Sequence, residues 1–386
     1  MTGTATAAFE TMAEPGGAAL HIKRVDAIPV ALPLRKPMLM AGVRIEFAAN
    51  LIVRIEAENG LIGWGEAASA PTMTGDLQAG MVAAIEQHLA PLLVGQDALQ
   101  HAALARRCGH ALHGNGGAKS AVDMALLDLV GHHVRLPVCD LLGGAVRAVV
   151  KPMWLLGNKT VQEDIAEANE KRRAGFGFFK IKVGVKPVAD EIAATHELRR
   201  ALGPEIILCA DANMGYDSVA ARRYAVAAGE AGLLFFEQPL RDDDINGMAA
   251  LAKISPVPLC ADEPIGSIKD IYDYQRAGAA AGINVKTIKL GGLGAAVRAA
   301  QVCESLGLAI NLACKVAESS IGAASLVQLG AVLGNLDWGI SVTNHYLAVD
   351  TVKDVIQPRD GVIAVSRRPG LGVEVSEKKV QRFRVK

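Results

Sequence analysis

An α/β fold is predicted for this chain, a barrel of parallel strands beside a separate α+β region, and three observations predict it. Five short segments, Phe179 to Gly184, Ala210 to Asn213, Phe236 to Pro239, Ala261 to Pro264 and Asn284 to Lys289, each close or form a β-branched or apolar run. Their anchors Lys180, Asp211, Glu237, Asp262 and Lys286 recur at intervals of 31, 26, 25 and 24 residues, roughly the period of a βα unit. The texture of the chain also changes after Gly143-Gly144, where strand, loop and helix begin to repeat. Lysine, three acids and lysine therefore fall on five neighbouring strand ends, where such a barrel keeps its active site.

Taken in order, the first ~18 residues are rich in Ala, Gly and Thr and lack the basic start and apolar stretch of a signal peptide, so 1–19 reads as a flexible leader. Residues 20–69 alternate as strands do: His21 to Leu32, Ala49 to Glu56, a turn at Asn59-Gly60, and Leu61 to Glu66. From Leu77 to Leu142 the apolar spacing is helical, with stops at Gly95, at Gly114 to Gly117 and at Leu136-Pro137. Residues 20–147 thus form an α+β unit outside the repeat.

Over 148–345, strands are predicted to begin near Lys151, Phe178, Ile206, Leu233, Pro258, Ile283, Leu308 and Trp338, with amphipathic segments such as Val188–Leu202 and Ala295–Leu306 between them. Eight such repeats imply a closed parallel sheet. Residues 346–386 revert to short strands and turns, at Asp360-Gly361 and Pro369-Gly370, and are expected to fold back onto the first domain.

Composition narrows the class. With 386 residues, 51% of them hydrophobic, the chain buries a large core and suits two or three units. Forty basic residues balance 40 acidic ones along the whole length, which favours neither nucleic acid nor a membrane surface as partner. Cys108, Cys139, Cys209, Cys260, Cys303 and Cys314 show no paired or metal-type spacing and read as buried thiols of a cytoplasmic protein. No run reaches the ~20 apolar residues that span a bilayer.

The anchors carry the chemistry. Asp211, Glu237 and Asp262 end three consecutive strands and set three hard oxygen donors around one point. Mg²⁺, with Mn²⁺ as a substitute, suits such a set, because it takes about six oxygens and keeps positions open for substrate. A single Asp at a strand end is ordinarily the N-cap of the next helix; three in register point to a metal. Of Asp262 and Glu263 only one can face inward along an alternating strand, and Asp262 is favoured.

Lys180 and Lys182 share a strand face ~6.5–7 Å apart. Repulsion at that distance, with an effective dielectric constant of ~20, is worth roughly 2.4 kcal/mol, or nearly two pKa units. That shift lets one of the pair act as a base near neutral pH; the bland alternative is two lysines snorkelling at a solvated edge. Lys286, four strands further round, approaches a central substrate from the opposite side. Lys289 has the opposite parity, so a regular strand turns it outwards, leaving it either a site contact or a helix-start anchor. Two bases flanking a divalent ion imply proton transfer next to a carboxylate. Stabilising the resulting enediolate by ~8 kcal/mol corresponds to about six decades in rate. Gly114 to Ser120 echoes a phosphate loop with the wrong spacing and no preceding strand, and His110, His113, His132 and His133 read as surface or core residues.

Lys180-Ile-Lys182, Asp211-Ala-Asn213, Glu237-Gln-Pro239, Asp262-Glu-Pro264 and Lys286-x-x-Lys289-x-Gly-Gly292, in this order and spacing, resemble the muconate lactonizing enzyme (muconate cycloisomerase) subgroup of the enolase superfamily. The likeness runs from about residue 20 to the end and includes Ala118-Lys119-Ser120, Ala125 to Asp128, Leu136 to Val138, Leu141 to Gly144, Glu318 to Gly322 and Pro369 to Gly372. It implies a modified TIM barrel, (β/α)7β, with an α+β capping domain made by the N-terminal third and the C-terminal tail. It further implies Asp211, Glu237 and Asp262 as metal ligands and Lys182 as the base, tuned by Lys180. Lys286 becomes the opposite acid/base or an electrostatic stabiliser, Glu318 a polar group beside the site, and Met38 to Arg44 a loop closing over substrate. Relatives of this kind are commonly homo-oligomers acting on a small-molecule carboxylate.

Departures from the family narrow the substrate. Residues 307–320 hold no histidine, against an acid-sugar dehydratase, and Ile340 to His345 lacks the Asp-x-Asp of dipeptide epimerases. Lys315 stands where relatives usually carry a small or neutral residue: it either binds a second carboxylate or points into solvent. Asn213, Lys315, Glu318 and Asn344 are the candidate substrate contacts. The expected activity is that of a muconate cycloisomerase-like isomerase, the alternative a racemase or epimerase of an amino-acid derivative using two opposed lysines. A Schiff-base aldolase would be poorly served by three clustered acids, and a non-catalytic descendant would have lost anchors that are all present.

Overall fold

The computed structural model describes residues 19–40, 43–157 and 159–385. The expected leader therefore lies, but for its last residue, outside the described residues. Strands β1 (Ile22–Met40), β2 (Val43–Ala57) and β3 (Ile62–Ala68) form an antiparallel sheet in that order, and Ala41 and Gly42, within the expected closing loop, are outside the described residues too. Alternation gives the sheet two apolar faces: Leu51, Val53, Ile55 and Ala57 join the core of the first domain, while Ile28, Val30, Leu32 and Ile52 join the core that continues into the barrel.

The helix Gly116–Val134 is buried nearly all round, as befits one wedged between two layers. It lies directly on β3, where a Cβ on Gly65 would stand 1.9 Å from the Ala121 carbonyl oxygen. Its two buried acids bind other parts of the chain: Asp128 accepts from Trp64 N at 2.9 Å and Leu371 N at 2.7 Å, and Asp123 from Gly294 N at 3.2 Å.

Strand β4 (Val149–Val150) precedes eight parallel strands: β5 (Trp154–Leu156), β6 (Phe178–Lys182), β7 (Ile207–Asp211), β8 (Phe236–Glu237), β9 (Leu259–Ala261), β10 (Gly282–Val285), β11 (Ala309–Ala313) and β12 (Ile340–Ser341). They pair in sequence order, and Met153 N donates to Ile340 O at 2.8 Å, bringing the two edges together. A helix follows each strand from β5 to β11, the first opened by a capping box between Thr160 and Glu163, others by Asp217, Asp244, Ser267 and Ser319. The result is the (β/α)7β barrel with its α+β cap. Strand β13 (Ile363–Ala364) pairs with β4, and the tail returns to the first domain, where Ala31 N donates to Phe383 O at 3.0 Å.

Inside the barrel, Met153, Phe178, Cys209, Phe235, Cys260 and Trp338 close the floor, with the Phe235 and Trp338 rings stacked at 4.6 Å. Side chains above this layer cannot sink further, so polar groups placed there stay at the mouth.

Glu66 on β3 joins cap to barrel. Its carboxylate accepts from Ser319 N at 2.9 and 3.0 Å, Ser319 Oγ at 2.7 Å, Gly322 N at 2.9 Å and Asn50 Nδ2 at 2.8 Å, all buried. Replacing Glu66 with Ala strands these donors and is expected to cost roughly 3–5 kcal/mol in urea unfolding, with Glu66→Gln well below that. Equal losses in the two variants would show that volume, not hydrogen bonding, sets the cost.

Candidate active site

Register assembles the first half of the site. Lys182 pairs with Asp211 across β6 and β7, and Asp211 with Glu237 across β7 and β8, so the three share one row at the barrel mouth. Phe178, Lys180 and Lys182 point inward by alternation while Phe179 and Ile181 enter the outer core. Lys182 Nζ donates to Asp211 Oδ2 at 2.6 Å and to Asn213 Oδ1 at 2.7 Å. Lys180, one layer deeper, donates to Glu237 Oε2 and to Asn311 Oδ1, the latter at 3.1 Å. Glu191 holds the loop after β6 by accepting from Gly184, Val185 and Lys186 N at 2.9–3.0 Å.

The second half departs from strand rules. β9 ends at Ala261 and β10 at Val285, so alternation governs neither Asp262 and Glu263 nor Lys286 and Lys289. Asp262 is fully buried between two ammonium groups, Lys286 Nζ at 2.5 Å and Lys289 Nζ at 2.8 Å. Lys289 is therefore not turned outwards as strand parity predicted: the helical turn Thr287–Leu290 swings it back, and it also donates to Asn284 O at 2.9 Å. Nor does the one-inward rule hold for the neighbouring acids, because Glu263 Oε1 accepts from Asn213 Nδ2 at 3.0 Å beside the same cluster.

A cavity of about 40 Å³ opens among these groups, lined by Lys180, Lys182, Asp211, Asn213, Glu237 and Lys286. Lys315 lines it too, buried, which answers the question of its direction. Leu155, Ala313, Cys314, Val316, Ser341 and Thr343 complete the far side, and Met73 from the cap reaches Lys286 Nζ with its sulfur at 3.7 Å. Two expected contacts stand elsewhere. Asn344 Nδ2 donates to Ser320 Oγ at 3.1 Å and Ile356 O at 2.8 Å, which ties down the C-terminal segment rather than facing the cavity. Glu318 is buried behind the wall near Glu66, where burial and that second carboxyl push it up to about 8. Sequence reasoning missed Asn284, whose amide donates to Glu237 Oε1; an Asn two residues before Lys286 on one strand was the available signal. Met73 carried none.

Two family models match the chain: one described as mandelate racemase / muconate lactonizing enzyme, N-terminal domain, over residues 23–143, and one as enolase C-terminal domain-like, over 163–379. The chain belongs to this family. It is 33% identical to muconate cycloisomerase 1 of Pseudomonas putida over 94% of this chain and 98% of that one. It is 30% identical to L-Ala-D/L-Glu epimerase of Bacillus subtilis over 92% and 97%. The crystal structure of muconate lactonizing enzyme from Pseudomonas fluorescens complexed with muconolactone superposes with a TM-score of 0.92 at 30% identity, covering 95% of this chain and all of that one. The chain is accordingly an enzyme of the isomerase class, and the family's enolase-type barrel is the frame for its electrostatics.

Lysines and acids oppose one another throughout that frame. Burial alone would lower Lys180, but Glu237 and Asp211 outweigh it and hold the ammonium above its ordinary range. At Lys180 the expected effect of repulsion is thus overridden, because its amine lies against the Glu237 carboxylate. Burial likewise raises Asp262, yet Lys286 and Lys289 hold it far below the usual carboxylate range. Burial and then Asp211 push Glu237 up, and burial with Asp262 and Asp211 takes Glu263 to about 8, a sign of crowded negative charge. Burial, Lys286 and Lys182 take Lys315 down to about 8.

The family's chemistry is generally metal-dependent, and the donors fit a hard divalent ion. Among the described residues no three His, Cys, Asp or Glu side chains are already arranged to hold a metal, since a lysine grips each carboxylate of the trio. Buried acceptors nevertheless lack partners where such an ion would sit: Glu263 Oε2 and Asn284 Oδ1 receive no hydrogen bond. Unpartnered oxygens beside mutually repelling carboxylates are a cation's environment rather than another ammonium's.

Proposed function

We propose that this protein is a Mg²⁺-dependent isomerase of the muconate cycloisomerase type, moving a proton next to the carboxylate of a small substrate through an enolate. The observation that carries the reading is the placement of Lys182 and Lys286 four strands apart in an eight-stranded barrel, both lining the cavity, with Asp211 and Glu237 at the ends of the first two strands between and Asp262 just past the third. Those three carboxylates would hold the ion, with Mn²⁺ as a substitute. When bound, it supplies positive charge to the substrate carboxylate as negative charge develops there.

The chain's own residues do the rest. Lys182, held by Asp211 and Asn213, delivers a proton to the α-carbon from its face in the cycloisomerising direction. Lys180 stays charged beneath it against Glu237. Lys286 provides positive charge from the other face, and Met73 and Leu155 help keep water off the reacting carbon. The cap assigned to 20–147 with 346–386 closes over the barrel of 148–345. Six buried cysteines, none in a disulfide, support a cytoplasmic setting, and among the described residues no helix is long and apolar enough to cross a membrane. A homo-oligomer is proposed from the family resemblance.

Epimerisation is the second reading, favoured by the opposed lysines and by the epimerase at 30% identity. Turnover in deuterated water separates the two. A cycloisomerase incorporates deuterium at one face of the α-carbon; exchange at both faces of a recovered amino-acid derivative, lost in Lys182→Ala and in Lys286→Ala alike, would replace the first reading with the second.

A further inference from the structure

We propose that Asn284 is a positioning residue of the metal centre, one that sets the Glu237 carboxylate for the cation. The inference rests on the reading above, in which Asp211, Glu237 and Asp262 hold a divalent ion. Strand alternation brings Asn284 there: Ile283 and Val285 enter the outer core, so Gly282 and Asn284 turn into the barrel. Gly282 lies on the floor, where a Cβ would stand 2.3 Å from the Trp338 ring. Asn284 is thus one layer above the floor, level with its register partner Asn311 on β11, and it lines the cavity.

Glu237 is fully buried, and a donor holds each of its oxygens. Lys180 donates to Oε2 and Asn284 Nδ2 to Oε1. Each bond occupies one lone pair and leaves another on the same oxygen for a ligand. A quarter turn of the carboxylate about its last bond would break both. The two donors differ in kind, because Lys180 brings a positive charge that opposes an incoming cation, whereas Asn284 orients the carboxylate without one.

A buried asparagine in a barrel is ordinarily structural, and Asn311 is that case. Its amide donates to Trp338 O at 2.7 Å and Gly339 O at 3.2 Å, and its oxygen accepts from Lys180 at 3.1 Å. Asn284 differs. Among the described residues its amide is bonded to Glu237 alone, and its Oδ1 receives no hydrogen bond. Exchanging that oxygen with the nitrogen would set a second acceptor against the Glu237 carboxylate, so chemistry fixes which atom faces which way. A buried acceptor left open costs stability, and an apolar side chain of the same shape would avoid that cost. Asn284 offsets it by holding Glu237, and its open oxygen suits the waters that Mg²⁺ retains.

The test is calorimetric titration of the full-length protein with Mn²⁺, with the bound ion followed by electron paramagnetic resonance. Asn284→Leu, close in shape and without a donor, is expected to weaken Mn²⁺ binding by about ten- to a hundredfold and to alter that spectrum, as the loss of a metal ligand's partner does. Asn284→Ala, which leaves room for a water, should weaken binding in the same direction. Because Asn284 acts through Glu237, the losses should not add: in Glu237→Gln protein the further cost of Asn284→Leu is expected to fall below about threefold. Thermal unfolding without metal separates orientation from packing, since a residue that merely fills the barrel would lower stability and leave the affinity of the folded protein as it was. Wild-type crystals soaked in Mg²⁺ give a reading that needs no variant: Glu237 is expected to keep its bond to Asn284 with the ion in place. Unaltered affinity in a folded variant, additive losses, or a Glu237 turned away from Asn284 in the soaked crystal would overturn the assignment. Failure of the underlying metal reading is separable, because it shows as wild-type protein that binds no Mn²⁺.

Discussion

Lys182→Ala lowers turnover by about a hundred- to ten-thousand-fold, the contribution of one positioned general acid or base, and leaves the barrel folded. Lys182 sits at the cavity rim and is only partly buried, so its loss opens a small polar gap rather than a hole in the core. The amine also neutralises Asp211, 2.6 Å away. Truncation therefore frees a carboxylate and is expected to leave divalent-cation affinity undiminished. That split between lost turnover and retained metal binding, measured by steady-state rates and Mn²⁺ titration, distinguishes a proton donor from a structural lysine. Weakened metal binding in parallel with lost turnover would count against the catalytic assignment. Lys286→Ala provides the comparison: its partner Asp262 keeps Lys289, so the fold survives, and a smaller loss than in Lys182→Ala is expected for a cycloisomerase.

Removal of the divalent ion by chelation is expected to abolish turnover, by up to ~8 kcal/mol or about six decades, and Mg²⁺ should restore it. Among the three acids, Asp262 gives the sharpest contrast of variants. Asp262→Asn keeps the shape and is expected to weaken Mn²⁺ binding by more than about a hundredfold, since a neutral amide is a poor ligand for a hard cation. Asp262→Ala leaves Lys286 and Lys289 buried without their carboxylate, a loss of about 3–5 kcal/mol in stability beyond the effect on metal. Thermal unfolding checks the second effect and metal titration the first. Turnover that persists in a chelator, or Asp262→Asn protein with unaltered Mn²⁺ binding, would remove the metal from the mechanism.

Much of this architecture was readable along the chain because barrel strands repeat. Lys180, Lys182, Asp211 and Glu237 sit within or at the ends of regular strands, so alternation and register carried them to the mouth as expected. The same rule does not reach two residues past β9 or four past β10, where Glu263 joined the cluster and Lys289 turned inward. A two-residue parity holds only while the backbone stays extended, and a single helical turn cancels it. Asn344 misled differently: it is a polar residue near a strand end whose amide closes a local bracket with Ser320 and Ile356.

By itself, the sequence determined the barrel repeat, the separate cap, and which residues converge as acids and amines, because these follow from periodicity and from the cost of placing charge on an inward strand face. Only the tertiary structure decided which amine opposes which acid, that Lys315 faces the cavity, and that Met73, Asn50 and Glu66 of the cap complete or brace it. Those outcomes depend on contacts between segments as far apart as Glu66 and Ser319, 253 residues along the chain, and no local pattern records such a contact.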